Sequence, residues 1–244
     1  MSYSVAFSAI VAALTAPVLF AQNSPVQPRD LYLEKISGAS AAAPARHHLG
    51  VRYTELLVDP PTRRVREVDP DTVFHQGDCI AVEFTPNRNG AVYVLNHGSS
   101  GDWQLLIPNA LLPDASGPAQ AGVALRVPTD YCFRLDDKPG IEILMVAITE
   151  YQEDVAKLRD LLAEPRPASG AAEAVVSTAR ANPVNVDAIR AEVESWQRVA
   201  SRDLKLEKIA SSKSAGERPN SVYAVMSASA AANRLVVEIR IRHE

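Results

Sequence analysis

Basic residues are in short supply. The 244 residues hold 25 Lys and Arg against 29 Asp and Glu, a formal charge of -4. With a pI near 5.8, that balance offers no basic field to invite nucleic acid or anionic lipid. Cysteine is scarcer still, at two residues. Charged residues are missing altogether from the opening stretch MSYSVAFSAIVAALTAPVLFAQ. What remains is a composition of 47% hydrophobic and 22% charged residues, which is that of a globular chain rather than a disordered one. The length suits one sizeable core, or one core with appended helices.

The uncharged opening has the form of a secretory signal peptide over residues 1–21, an apolar run from Val5 to Phe20 with a small residue, Ala21, before the expected cleavage point. Pro17 and the shortness of the run place it below a spanning helix of about 20 residues. The residue directly after Ala21 is Gln22 and not Cys, so a bacterial lipid anchor is not expected at that site. Residues 22–47, rich in Pro, Ala and Ser, are expected to form a flexible tether with a short ordered patch at Leu31 to Leu33. An exported chain meets an oxidising compartment, where Cys79 and Cys132 can pair. Each has the opposite parity to the large apolar residues of its strand and is expected off the main core. Spacing alone leaves a bridge and two free thiols both open.

From residue 48 to 150 the pattern is that of short strands separated by turns. LGVRYTELLVD alternates through Val51 and Tyr53, and CIAVEFT puts Ile80, Val82 and Phe84 on one face. Asn89-Gly90 suits a tight hairpin turn into AVYVLN. WQLLIP, GVALRVP and YCFRL follow. Pro139-Gly140 suits a type II turn before the nearly all-apolar IEILMVAIT. Residues 151–212 are expected to be a helical insertion. In its first part Val155, Leu158, Leu161 and Leu162 fall at helical spacing, and SGAAEAVVSTARAN suggests a second piece. The clearest helix has Ile189, Val193, Trp196 and Val199 as one stripe, with Asn185 as its cap. Residues 213–244 return to strands, where Leu235, Val237, Ile239 and Ile241 alternate strictly. The expected fold is mainly β: an antiparallel β-sandwich, immunoglobulin-like in general shape, with the helices inserted before the last two strands.

The order FHQGD, Asn89-Gly90 before YVL, GSSGDW leading to LLIPN, Val127-Pro128 and FRLDDKPGIE resembles the bacterial domain-of-unknown-function family DUF4384. The resemblance covers about a third of the chain and continues weakly to Val237, Ile239 and His243. It implies an exported β-rich accessory domain, sometimes attached to enzymes or surface proteins, and supplies no catalytic residues. Cys79 and Cys132 depart from the family's pattern.

Chemistry-bearing residues are few. In LNHGSSGDWQLLIPN, Ser99 or Ser100 with His97 and Asp102 suggests a nucleophile, a base and an orienter. The Gly spacing is wrong for a nucleophile elbow, however, and a strand follows instead of a helix. No Lys-Ser or Lys-Thr follows the glycines, which excludes a phosphate loop. Gly77-Asp78 is expected to fix a turn. Asp69 and Asp71 lack the ligand count of a calcium loop and are expected in a solvated turn. His47, His48 and His243 could meet only if the first and last strands were neighbours, and exposed histidines beside a linker are the expected outcome. Tyr93 and Trp103 are expected to pack inward rather than form a platform.

These features point to an exported, non-enzymatic accessory domain. Its partner would be an envelope or extracellular protein or glycan, with no cofactor, no metal, no nucleic acid and no membrane span after signal cleavage. Recognition is expected at His97, Ser99, Ser100, Asp102 and Trp103, because loops on a rigid sandwich carry binding. The competing expectations are a hydrolase or carbohydrate-active domain using Asp78, Asp102 or His97, and an assembly subunit pairing through an edge strand.

Overall fold

Period-two alternation dominates the chain, and two packed sheets are its outcome. The computed structural model describes residues 27–36, 48–99, 101–108, 117–128, 132–163, 185–200, 202–209, 220–226 and 233–244. The expected signal peptide, His47, Ser100 and the piece SGAAEAVVSTARAN lie outside the described residues. The elements are α1 (Pro28–Ile36), β1 (Gly50–Asp59), β2 (Arg64–Val68), β3 (Val73–Phe74), β4 (Cys79–Pro86), β5 (Gly90–His97), β6 (Trp103–Ile107), β7 (Gly117–Ala119), β8 (Leu125–Val127), β9 (Phe133–Arg134) and β10 (Gly140–Thr149). After them come α2 (Gln152–Ala163), α3 (Val186–Ala200), β11 (Leu204–Ile209), β12 (Ser221–Met226) and β13 (Arg234–His243).

One sheet runs β11-β12-β1-β4-β8, with β2 on β1 and β9 on β4; the other runs β3-β13-β10-β5-β6, with β7 on β5. The pairings are antiparallel except for a two-residue parallel match of Val73 and Phe74 with the end of β13. Between the sheets, Val51, Ile80, Val82 and Phe84 meet Val92, Val146, Ile148 and Val237 in one core. Burying each such side chain contributes about 1.5–3 kcal/mol. The chain is therefore a mainly β, sandwich-like protein with helices before its last strands.

The second sheet is covered on both faces. Tyr93, Leu95, Met145, Ala147 and Val236 point away from the main core and pack under Val155 and Leu158 of α2 and Ile189, Val193 and Trp196 of α3. This double burial explains why IEILMVAIT lacks polar alternation. Asn185 caps α3, its Oδ1 accepting the Ala188 N–H at 3.1 Å. The stripe of α3 ends at Trp196, since Val199 is 60% exposed.

Three expectations are corrected. The tether holds α1, which has Pro28 at its first position and Asp30 in its first turn. Tyr32 anchors α1 on the outer face of the first sheet beside Tyr223 and Val225, and its hydroxyl donates to the Thr85 carbonyl at 3.1 Å. The helical insertion ends in a strand, β11, paired antiparallel with β12. Asn89-Gly90 makes no hairpin, and Pro139-Gly140 makes no type II turn with Gly140 at a positive φ. β4 and β9 lie in the first sheet and β5 and β10 in the second, so both dipeptides carry the chain from one layer to the other. Gly90 and Gly140 are absent from the residues with positive φ. Gly90 is required by space instead: a Cβ there would stand 2.5 Å from the Thr149 carbonyl oxygen. Asn89 Oδ1 accepts the Ala121 N–H at 2.8 Å.

Candidate functional site

The β5–β6 hairpin places His97 opposite Trp103 in the ladder. Their rings stack with centroids 4.7 Å apart and planes at 29°. The Arg190 guanidinium, from α3, lies 5.5 Å from the Trp103 ring centre. Trp103 also packs against the apolar layer under the helices, as Tyr93 does from within it. Both aromatics therefore face the same covered side, as expected. Trp103 and His97 keep partial exposure at its rim.

The bend between the two strands closes on itself. Gly98 N–H donates to the Asp102 carbonyl at 3.3 Å, and Gly101 N–H donates to the Gly98 carbonyl at 2.9 Å. Gly101 has φ near 90°, a conformation that favours glycine. Ser99 N–H donates to Glu142 Oε1 at 2.9 Å. The same carboxylate oxygen lies 3.6 Å from Nε2 of His243, a buried imidazole whose two nitrogens have no hydrogen-bond partner. Asp102 is exposed. Among the described residues no hydrogen bond joins His97 to Ser99 or Asp102, and the His97 ring is engaged with Trp103 instead.

Gly77 and Asp78 form the expected turn. Gly77 has φ near 84°, and Asp78 Oδ2 accepts the His75 N–H at 2.9 Å. Two backbone bonds with Leu135 tie the turn to the segment after β9. Beside it Cys79 and Cys132 form a disulfide with a Cα separation of 5.4 Å, within the range such bridges require.

His48 and His243 are not brought together as strand neighbours, because β1 and β13 lie in different sheets. His48 is buried, contrary to expectation, with Nδ1 3.2 Å from the Met226 carbonyl oxygen. Among the described residues no group of three His, Cys, Asp or Glu could hold a metal ion. Asp69 caps the Asp71 N–H at 2.8 Å, while exposed Asp71 pairs with Lys208 and lies 4.0 Å from Arg242. The hydrogen bond from Lys208 holds the Asp71 carboxyl below its ordinary range.

Glu55 was missed in the sequence. It is 3% exposed, paired with Val68 and Val82, and its Oε2 has no hydrogen-bond partner. Burial pushes its pKa up to about 8, against a lowering by Lys208 and a further rise from Asp71 and Asp69. The neighbouring Tyr53 phenol is raised by burial and by Glu55. The signal was present, because Glu55 shares the parity of Val51 and Tyr53. An acid on the apolar face of an alternating strand is a buried acid.

The order of turns around this geometry has a counterpart among known families. Residues 73–152 match the domain of unknown function DUF4384. The DUF4384 stretch runs from β3 to the start of α2 and holds the His97–Trp103 hairpin, both cysteines, and the Gly77-Asp78 turn. Arg190, His243 and Glu55 lie outside it. No curated protein and no solved structure matches the chain.

Proposed function

We propose that the protein is an exported, non-enzymatic accessory domain with a binding role in the cell envelope, and that it recognises its partner at the β5–β6 loop. The observation that carries this reading is the His97–Trp103 stack with Arg190 beside it. It presents an aromatic pair and a cation at the rim of a sheet buried on both faces, and rigid support of this kind lowers the ordering cost of binding. The uncharged opening of the sequence supports export. A disulfide between Cys79 and Cys132 suits an oxidising compartment. The partner is an envelope or extracellular protein or glycan.

The test is crosslinked capture from envelope extract with the native protein, Trp103→Ala, and the pair Ser99→Ala with Ser100→Ala. The same partner must be lost from the variants while their far-UV circular dichroism stays native. Capture that is equal across all three overturns the reading. A purified protein that turns over esters, glycosides or peptides would overturn the non-enzymatic part.

A second reading rests on β13. One side of this strand pairs with β10 over Arg234 to His243, while among the described residues the other side pairs only at Arg242 and His243. An open edge of this kind accepts a strand from another chain. Mass measurement in solution tests it, a dimer supporting the reading and a monomer at all concentrations overturning it.

A further inference from the structure

The β1–β2 hairpin projects beyond the sandwich. The pairing of β1 with β4 stops at Leu57 and Ile80, whereas its pairing with β2 continues to Asp59 and Arg64. Past Leu57 the arm has no other neighbour in its sheet, and Asp59 to Arg66 are all exposed. Three arginines stand along this end, Arg63 in the turn, Arg64 opposite Asp59, and Arg66 opposite Leu57 at the base of the arm. None of them takes part in an ion pair among the described residues. Asp59, the acid nearest the turn, is engaged by the Thr62 hydroxyl, and Thr62 Oγ1 accepts the Arg64 N–H at 3.3 Å. The arginines thus lack partners on a tip that is held in shape.

Apolar surface is interleaved with that charge. Val65 is 44% exposed on the face of the ribbon opposite Arg64 and Arg66, across from Val58, and Pro60 and Pro61 form the exposed turn. A ribbon with arginines on one face, Val65 on the other and two prolines at its turn matches an anionic lipid interface entered tip first, where guanidinium groups pair with phosphates and short apolar side chains enter the headgroup region. The net charge of -4 does not oppose this. The arm carries its tip on the order of 10 Å ahead of the body at about 3.3 Å per residue, and salt screens charges beyond about 8 Å. A surface touching the tip meets the arginines before it meets the sum.

We propose that the β1–β2 hairpin is a docking arm for a membrane surface bearing anionic phosphate headgroups. The contact is peripheral and salt-sensitive, and it involves no spanning segment.

The full chain is sedimented with vesicles of phosphatidylcholine alone and of phosphatidylcholine mixed with phosphatidylglycerol. The native protein should favour the anionic vesicles, and raised salt should abolish the preference. The triple variant Arg63→Gln, Arg64→Gln, Arg66→Gln should lose about 100-fold in association, since each cation near such a surface contributes roughly a factor of five. Val65→Ser should weaken association several-fold at unchanged charge. These positions are exposed, so the melting temperatures of the variants should stay native. Equal association with both kinds of vesicle, or an unchanged triple variant, overturns the proposal. So does displacement by inorganic phosphate at concentrations that leave ionic strength constant, because the site would then bind the free ion and not the lipid surface.

Discussion

Asp154 accepts both Nε and Nη2 of Arg234, each at 2.6 Å, and so fastens the first turn of α2 to the first residue of β13. The Thr149 hydroxyl donates to the same carboxylate at 2.7 Å. Arg234 in turn lies over Tyr151 at 5.0 Å and Trp196 at 5.6 Å, which brings α3 into the same junction. The hydrogen bonds it donates to Asp154 raise the pKa of Arg234, as expected for a cation held by a buried carboxylate. Removing that carboxylate takes the acceptor from both the guanidinium and the Thr149 hydroxyl, which among the described residues keep only the two rings and the Tyr151 N–H. Asp154→Ala should therefore cost about 1–3 kcal/mol, because the guanidinium left behind still reaches solvent, measured by urea unfolding.

Glu55 makes stability fall as pH rises. Its carboxyl holds a proton to about pH 8 in the folded protein, against an ordinary value of 4.5. Below pH 4.5 both states are protonated and the stabilisation is complete. Between 4.5 and 8 the unfolded chain ionises first, and the loss reaches as much as about 4–5 kcal/mol. Glu55→Gln should match the native protein at acid pH and exceed it at pH 8. Denaturant melts across that window check this, and parallel curves for the two proteins would refute it.

The disulfide closes a separation of 53 residues, from β4 to the segment just before β9. Chain-entropy arguments give such a loop about 4 kcal/mol. Reduction, or Cys79→Ala with Cys132→Ala, should lower the unfolding midpoint accordingly without changing the far-UV spectrum.

At Gly90 the added Cβ of alanine would meet backbone and not a flexible side-chain end. Gly90→Ala should destabilise by about 2–3 kcal/mol, while Gly122→Ala is strained by its φ near 76° in otherwise open space. Comparing the two by thermal melts separates a clash between strands from a local turn preference.

Alternation and helical spacing made most of the fold legible. Ile80, Val82 and Phe84 occupy the core face, and Leu235, Val237, Ile239 and Ile241 do the same at the end of the chain. What failed were connections and edges. Asn89-Gly90 has the chemistry of a hairpin, yet the choice between pairing with β4 and crossing to the other layer rests on contacts with Thr149 and Ala121, far along the chain. β11 escaped notice because an edge strand need bury little, and LKLEKI is half charged. Of α1 only the ordered patch at Leu31 to Leu33 was legible, because Tyr32 is its main anchor. At the candidate site, the bend between AVYVLN and WQLLIP was legible, whereas the stack of His97 on Trp103 depends on the exact register of the two strands, and Arg190 and Glu142 arrive from distant elements that no local pattern ties to the loop.

The alternation of the chain between layers bears on what the DUF4384 match delimits. Residues 73–152 supply strands to both sheets but include none of β1, β12 or β13. β1 sits between β12 and β4, and β13 between β3 and β10. An excised stretch would keep part of each wall and lose Val51, Tyr53, Val222, Leu235, Val237 and Ile239 from the space between them. The unit that can be compared among proteins is thus smaller than the unit that can fold in this one. Any graft of the stretch onto another chain must bring flanking strands whose inward side chains fill the same volume.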